Sequence, residues 1–239
     1  MTSLLLLPGT LCDERLFSHQ VEQLSALADV RVGDLTTADT IEGMAESVLD
    51  AAPEKFALGG LSLGGIVALE VVRVAPQRVT HLALLDTNHT PPTKTQVATW
   101  TVFEQMTLDG DFDRITPERL APILIHRQED RRLRQLVLDM AAAIGPEAFL
   151  RQNHANSHRP DNSGVLGQIE CPTLVLCGAE DAVCPVVLHE EIAARISGAE
   201  LAIVPAAGHL STIDAPEAVT AALRSWLARP AHTTDTKQD

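Results

Sequence analysis

The chain has 239 residues, 45% of them hydrophobic and 21% charged, enough for one sizeable α/β domain with room for an insertion. A formal net charge of −14 argues against a nucleic-acid partner, whose phosphate backbone calls for clustered Lys and Arg. Four cysteines (Cys12, Cys171, Cys177, Cys184) without CxxC spacing point to reduced thiols in a cytoplasmic protein; neither a disulfide framework nor a metal or other cofactor is expected.

In chain order, the opening MTSLLLLPGT carries an apolar run with no basic n-region and no cleavage site. Four leucines fall far short of the ~20 apolar residues of a membrane span, so Ser3–Leu7 reads as a buried strand and no membrane association is expected. A helix over Glu14–Leu27, a strand over Val30–Leu35 and a helix over Thr40–Ala51 follow, the last with Ile41, Met44, Ala45 and Val48 on one face. Lys55–Leu61 is the next strand. A helix from Leu63 to Ala75 stops before Pro76, and Val79–Asp86 is a continuous apolar run of the kind buried on both faces of a parallel sheet.

Alternation then breaks. Between 89 and 164 the sequence predicts only helices, near Thr95–Met106, Pro117–His126, Glu129–Ile144 and Pro146–Asn156. It resumes with a strand over Cys171–Cys177, a helix over Val186–Ile196, a strand over Glu200–Val204 and a helix over Pro216–Ala228. The pattern implies an α/β core over 1–88 and 165–229, a mostly parallel sheet flanked by helices, a helical insertion at 89–164, and a polar, disordered tail at 230–239.

The stretch Gly59-Gly60-Leu61-Ser62-Leu63-Gly64-Gly65 lies where a strand passes into a helix. It lacks the Lys of a phosphate-binding GxxxxGK[ST] loop and the glycine spacing of a dinucleotide fingerprint. GxSxG fits as Gly60-Leu61-Ser62-Leu63-Gly64. In that motif a strained turn exposes a serine hydroxyl, and small residues two before and two after let strand and helix approach. A serine needs a base, and the base an orienting carboxylate. His209, in Ala207-Gly208-His209, follows the strand ending near Val204. Asp181, in Gly178-Ala179-Glu180-Asp181, follows Cys171–Cys177. Asp86, at the end of the strand beside Ser62's, is the rival acid. For an oxyanion the expected backbone donors are the amides of Leu63 and of Thr10 in Leu7-Pro8-Gly9-Thr10, with Leu11 replacing Thr10 if the register shifts by one.

These residues resemble the α/β-hydrolase superfamily along the chain to about residue 229, on LPGT at 7–10, GLSLGG at 60–65, DT at 86–87, GAED at 178–181 and GH at 208–209. Many members carry His-Gly in the first of these loops; here Pro8 stands in place of that histidine. The resemblance implies a six-stranded sheet lacking two leading antiparallel strands common in the family, and a cap domain matching the helical insertion. The segment Gln152–Ser163, with Arg159-Pro160-Asp161, is similar to small esterase-like members.

The expected function is a serine hydrolase cleaving a small carboxylic ester, thioester or lactone through an acyl-enzyme. The alternatives are C–C bond hydrolysis or lyase chemistry, perhydrolase or cofactor-free dioxygenase chemistry on the same scaffold, and a non-hydrolytic small-molecule receptor. The insertion holds nine of the eighteen Lys and Arg but ten of the thirty-two acids, so it is nearly neutral while the remainder is acidic. Its Arg127, Arg131, Arg132 and Arg134 read as a solvated helix face, the alternative being a cationic face that attracts an anionic substrate. His89, His126, His154 and His158 read singly as surface residues. With 3% aromatics, an aliphatic acyl pocket is expected rather than an aromatic cage.

Overall fold

Leu4–Leu7 offer apolar side chains to both faces of their strand, and the computed structural model, which describes residues 2–231, buries all four inside a sheet. The strands are β1 (Thr2–Leu7), β2 (Ala28–Val32), β3 (Phe56–Leu61), β4 (Val79–Leu85), β5 (Thr173–Gly178) and β6 (Glu200–Val204). All six run parallel in the order β2-β1-β3-β4-β5-β6. β3 and β5 are buried throughout, while the edge strands β2 and β6 are partly exposed, as expected where helices cover both faces of the centre. The chain winds outward from β1 to β2, returns to β3, and then winds the other way. The C-terminal ends of β1 and β3 therefore flank the topological switch point, where open α/β sheets form their crevice.

The helices are α1 (Ser18–Leu24), α2 (Ile41–Ala51), α3 (Leu63–Val74), α4 (Lys94–Leu108), α5 (Phe112–Ile115), α6 (Ala121–Leu124), α7 (Arg131–Ser157), α8 (Ser163–Leu166), α9 (Val186–Arg195), α10 (Ser211–Asp214) and α11 (Pro216–Leu227). Their starts follow local chemistry. Thr40 accepts a hydrogen bond from the Gly43 amide to begin α2, a reciprocal Thr93–Gln96 capping box begins α4, and Asp130 accepts from the amides of Arg132 and Leu133 to begin α7. On one sheet face α2, α3 and α9 contribute Met44, Val67 and Ile192 to the core; on the other, α1 and α11 contribute Leu24, Leu223 and Trp226. A third apolar cluster joins Leu11, in the loop after β1, to Phe103, Phe112 and Phe149 of the segment between β4 and β5.

That segment contains no strand among the described residues. The helices expected over Glu129–Ile144 and Pro146–Asn156 are the two halves of α7, which meet at a kink at Gly145, whose φ of 77° lies in the left-handed region ahead of Pro146. Over the expected Pro117–His126 helix, prolines at 117 and 122 leave a π-turn (Thr116–Leu120) and the short α6. β2 ends earlier than expected, although the Gly33 amide still reaches the Leu6 carbonyl. β5 starts at Thr173 because Pro172 has no N–H; the Pro172 carbonyl instead accepts from the Leu82 amide and the Trp226 indole. The one-turn helices α5, α8 and α10 are too short for their periodicity to register in a sequence. Apart from Pro230 and Ala231, the expected tail lies outside the described residues. No helix among the described residues is long and apolar enough to cross a membrane.

Candidate active site

The turn from β3 into α3 is strained at one residue. Ser62 has φ 55° and ψ −116°, outside the regions a serine ordinarily adopts. The surroundings hold it there. Its amide donates to the Leu85 carbonyl at 3.0 Å, and its carbonyl accepts from the Thr87 hydroxyl at 2.7 Å. Thr87 is fixed in turn, its amide donating to His189 Nε2 at 2.9 Å; burial pushes His189 down to about 4, so its ring is neutral. Glycine is required at two neighbours because of close backbone approach. A Cβ on Gly60 would collide with the backbone of Gly64, and one on Gly64 with the Leu7 carbonyl.

His209 Nε2 lies 2.9 Å from Ser62 Oγ, and His209 Nδ1 lies 2.8 Å from Asp181 Oδ2. Asp181 is fully oriented, since its Oδ1 accepts from the amides of Val183 and Cys184, both at 2.8 Å. A carboxylate has no proton to give, so Nδ1 carries the ring hydrogen and Nε2 is free to accept the serine proton. Burial pushes Asp181 up, but the charge of His209 and its hydrogen bond outweigh this and hold the carboxyl below its ordinary range. For His209 burial pulls down, while the charge of Asp181 and the shared hydrogen bond raise it above 6.5.

The rival Asp86 is engaged elsewhere. It is wholly buried at φ 44°, its Oδ1 accepts from the Gly178 amide at 2.8 Å, and its Oδ2 is bonded to the Ser211 hydroxyl. Burial, and then the nearby charge of Asp181, push it up to about 8. Glu180 is exposed. The His209 loop is anchored from both sides: the Asp214 carboxylate accepts from the amides of Gly208 and His126, and the Leu210 amide donates to the Leu124 carbonyl.

On the other side of Ser62, the Leu11 amide donates to Gln152 Oε1 at 3.0 Å, which leaves it unavailable to a ligand. The amides of Thr10 and Leu63 have no acceptor among the described residues. The same loop is held again where Asn156 Nδ2 donates to Thr10 Oγ1 at 2.9 Å. Nothing in the sequence assigned these tasks to Gln152 and Asn156; the only signal was their position within the Gln152–Ser163 segment.

A cavity of about 310 Å³ opens over Ser62 and His209. Its apolar wall combines Ile66, Leu120, Ile123 and Leu124 with Trp100, Phe103 and Phe149. The wall is mostly aliphatic, Ala182, Val183 and Leu210 adding to those four, and the rings are the part that composition did not suggest: the chain has only five Phe and two Trp, yet three of these seven line this one space. Arg127, Arg131 and Arg132 are exposed and Arg134 is half-buried, and none lines the cavity; Arg159 does, although it is 5% exposed. His126, His154 and His158 are exposed, while His89 is buried away from the cavity wall.

Asp181, Cys184 and His209 bring three potential metal ligands within 4.8 Å of one another. Both Asp181 oxygens and His209 Nδ1 are committed to the hydrogen bonds above, and burial pushes the Cys184 thiol well above its ordinary range, opposite to what a thiolate ligand requires.

Comparison with known proteins agrees with this architecture. The model of the "Alpha/beta hydrolase family" matches residues 4–222. A pimeloyl-[acyl-carrier protein] methyl ester esterase of Photobacterium profundum is 30% identical over 202 residues, covering 80% of this chain and 78% of that one. The protein of the same name from Edwardsiella ictaluri is 28% identical over 239 residues, 92% of this chain and 91% of its own. Among solved structures, a thermophilic esterase from Thermogutta terrifontis, malate bound, superposes with a TM-score of 0.87 at 27% identity, covering 95% of this chain and 89% of that one.

Proposed function

The chain belongs to the α/β-hydrolase family, and from that premise we propose that it is a serine hydrolase cleaving a small carboxylic ester, thioester or lactone through an acyl-enzyme. That it acts on ester bonds agrees with the esterases among its relatives. The observation that carries the finer reading is the unbroken hydrogen-bonded chain Ser62–His209–Asp181 at the floor of a largely apolar cavity.

Ser62 Oγ attacks the substrate carbonyl carbon while its proton passes to His209 Nε2. Asp181 keeps the imidazole in the required tautomer and stabilises the imidazolium. The developing oxyanion faces the unpartnered amides of Leu63 and Thr10, donors already in place before charge appears. The tetrahedral intermediate collapses as His209 returns the proton to the departing alcohol or thiol. Water then repeats the sequence and releases the acid, regenerating Ser62.

Ser62→Ala is expected to lower kcat on short p-nitrophenyl esters by about 10⁶-fold and to abolish labelling by a fluorophosphonate. Wild-type turnover in that variant would sink the assignment. Because the base must be neutral and His209 is raised above 6.5, wild-type kcat/KM should fall as pH drops through a value above 6.5.

A further inference from the structure

We propose that the substrate carries a free carboxylate, and that Arg159 anchors it inside the cavity while Ser62 attacks an ester elsewhere in the same molecule. This rests on the hydrolase reading above and narrows its substrate class.

Arg159 follows α7 and turns back beneath the start of α4. Its Nε donates to the Thr90 carbonyl at 2.8 Å and one terminal nitrogen donates to Gln96 Oε1 at 3.1 Å. The guanidinium lies over the Trp100 ring, 5.3 Å from its centroid. These partners are firm: Asn88 Oδ1 accepts from the Thr90 amide at 2.8 Å, and Gln96 Oε1 also accepts from the Thr93 amide in the capping box. All of them are neutral. The second terminal nitrogen, Nη1, donates to nothing among the described residues.

A buried cation is normally matched by an anion, because neutral acceptors return only part of the solvation it loses. Among the described residues Arg159 has no carboxylate partner and no Asp or Glu lies on the cavity wall, in a chain with thirty-two acids. The nearest acid in sequence, Asp161, accepts from the Ser163 amide instead. The desolvation of Arg159 pulls its guanidinium down, with no neighbouring carboxylate to reverse it. The cavity thus holds one fixed positive group on the wall formed by the helical segment, and Ser62 with His209 on the wall formed by the sheet. A planar donor placed over an aromatic ring suits a carboxylate.

The test compares esters that differ only in charge. Monomethyl esters of dicarboxylic acids from about four to eight carbons, a range suited to a cavity of this size, are set against the corresponding monoamides. Acetoxybenzoates are set against acetoxybenzamides. The first pair places the carboxylate on the acyl side and the second on the alcohol side. Wild-type kcat/KM should favour the anion by about tenfold or more on one of the two. Arg159→Met should bring that ratio close to one and Arg159→Lys should keep part of it; any general damage cancels in the ratio. A wild-type ratio near one on both pairs overturns the proposal even if neither variant folds, as does a ratio that Arg159→Met leaves unchanged. If the wild type cleaves no ester at all, the hydrolase reading falls separately. Calorimetric titration with glutaramate, which keeps one carboxylate, and glutaramide, which has none, then decides the anion site: glutaramate-selective binding weakened in Arg159→Lys supports it, and equal or absent binding overturns it.

Discussion

The two walls of the cavity are built by different means. On the sheet wall, Ser62, Asp181 and His209 all sit within a few residues of strand ends, and backbone geometry fixes them: a strained φ at Ser62, glycines where backbones touch, and carbonyls paired across the sheet. On the helical wall, long polar side chains do the fixing. Gln152, Asn156 and Arg159 reach Leu11, Thr10 and Thr90 across sequence separations of 141, 146 and 69 residues. A wall set by backbone tolerates little change at its glycines but leaves its chemistry in short motifs just past strand ends. A wall set by side-chain reach scatters its function through residues that look ordinary singly.

The largest expected effect tests whether the sheet wall uses one acid or two. Asp181→Asn should lower kcat by about 10⁴-fold, because an amide at that position no longer enforces the imidazole tautomer. It should also move the acid limb of kcat/KM to lower pH, since the charge that raises His209 is gone. Asp86→Asn should cost less than about tenfold, as Asp86 touches Gly178 and Ser211 rather than the histidine. Equal losses in steady-state kinetics would mean that the two carboxylates act as one unit.

A middle-sized effect tests whether the helical wall reaches the chemistry. Gln152→Leu leaves the Leu11 amide unpaired and removes one of the two side-chain ties on the loop carrying Thr10. We expect kcat to fall about 10- to 100-fold with KM changed by less than about threefold, the pattern of a misplaced oxyanion donor. A change in KM alone, or a lower melting temperature with unchanged kcat, would confine Gln152 to a structural role.

The same contrast explains what was legible in the sequence. The parallel sheet followed from apolar runs such as Val79–Leu85, buried because helices cover both faces, and from helix stops such as Pro76. The turn that carries Ser62 was legible because its geometry demands glycine at 60 and 64, and a demand for one residue type leaves a mark in the chain. The strand order was not legible, since periodicity says which face is buried but not which neighbour pairs. The exposed arginines at 127–134 attracted notice by clustering, whereas Arg159 is a lone cation whose significance lies in having no acid beside it. A missing partner is a three-dimensional fact. The three rings on the cavity wall were hidden for a similar reason, as overall composition does not tell where a few rings converge.

The smallest expected effect concerns the charge state of the sheet wall rather than its geometry. Asp86 is pushed up to about 8 by burial and by Asp181, from an ordinary 3.8. Between those values the folded chain holds a proton that the unfolded chain has released, so this group makes stability fall as pH rises through that window. Asp181 acts in the opposite sense: its folded carboxyl is depressed, so its contribution is present above the unfolded value and lost as pH falls. Asp86→Asn removes only the first of these. An amide oxygen can still accept from the Gly178 amide, and an amide N–H can face Ser211 Oγ as a protonated carboxyl would. Relative to wild type, the variant should therefore gain in melting temperature as pH is raised from 5 to 8. Calorimetry at the two pH values checks this. A difference that stays constant would mean that Asp86 is ionised throughout, and the sheet wall would then hold two negative charges beside His209 instead of one.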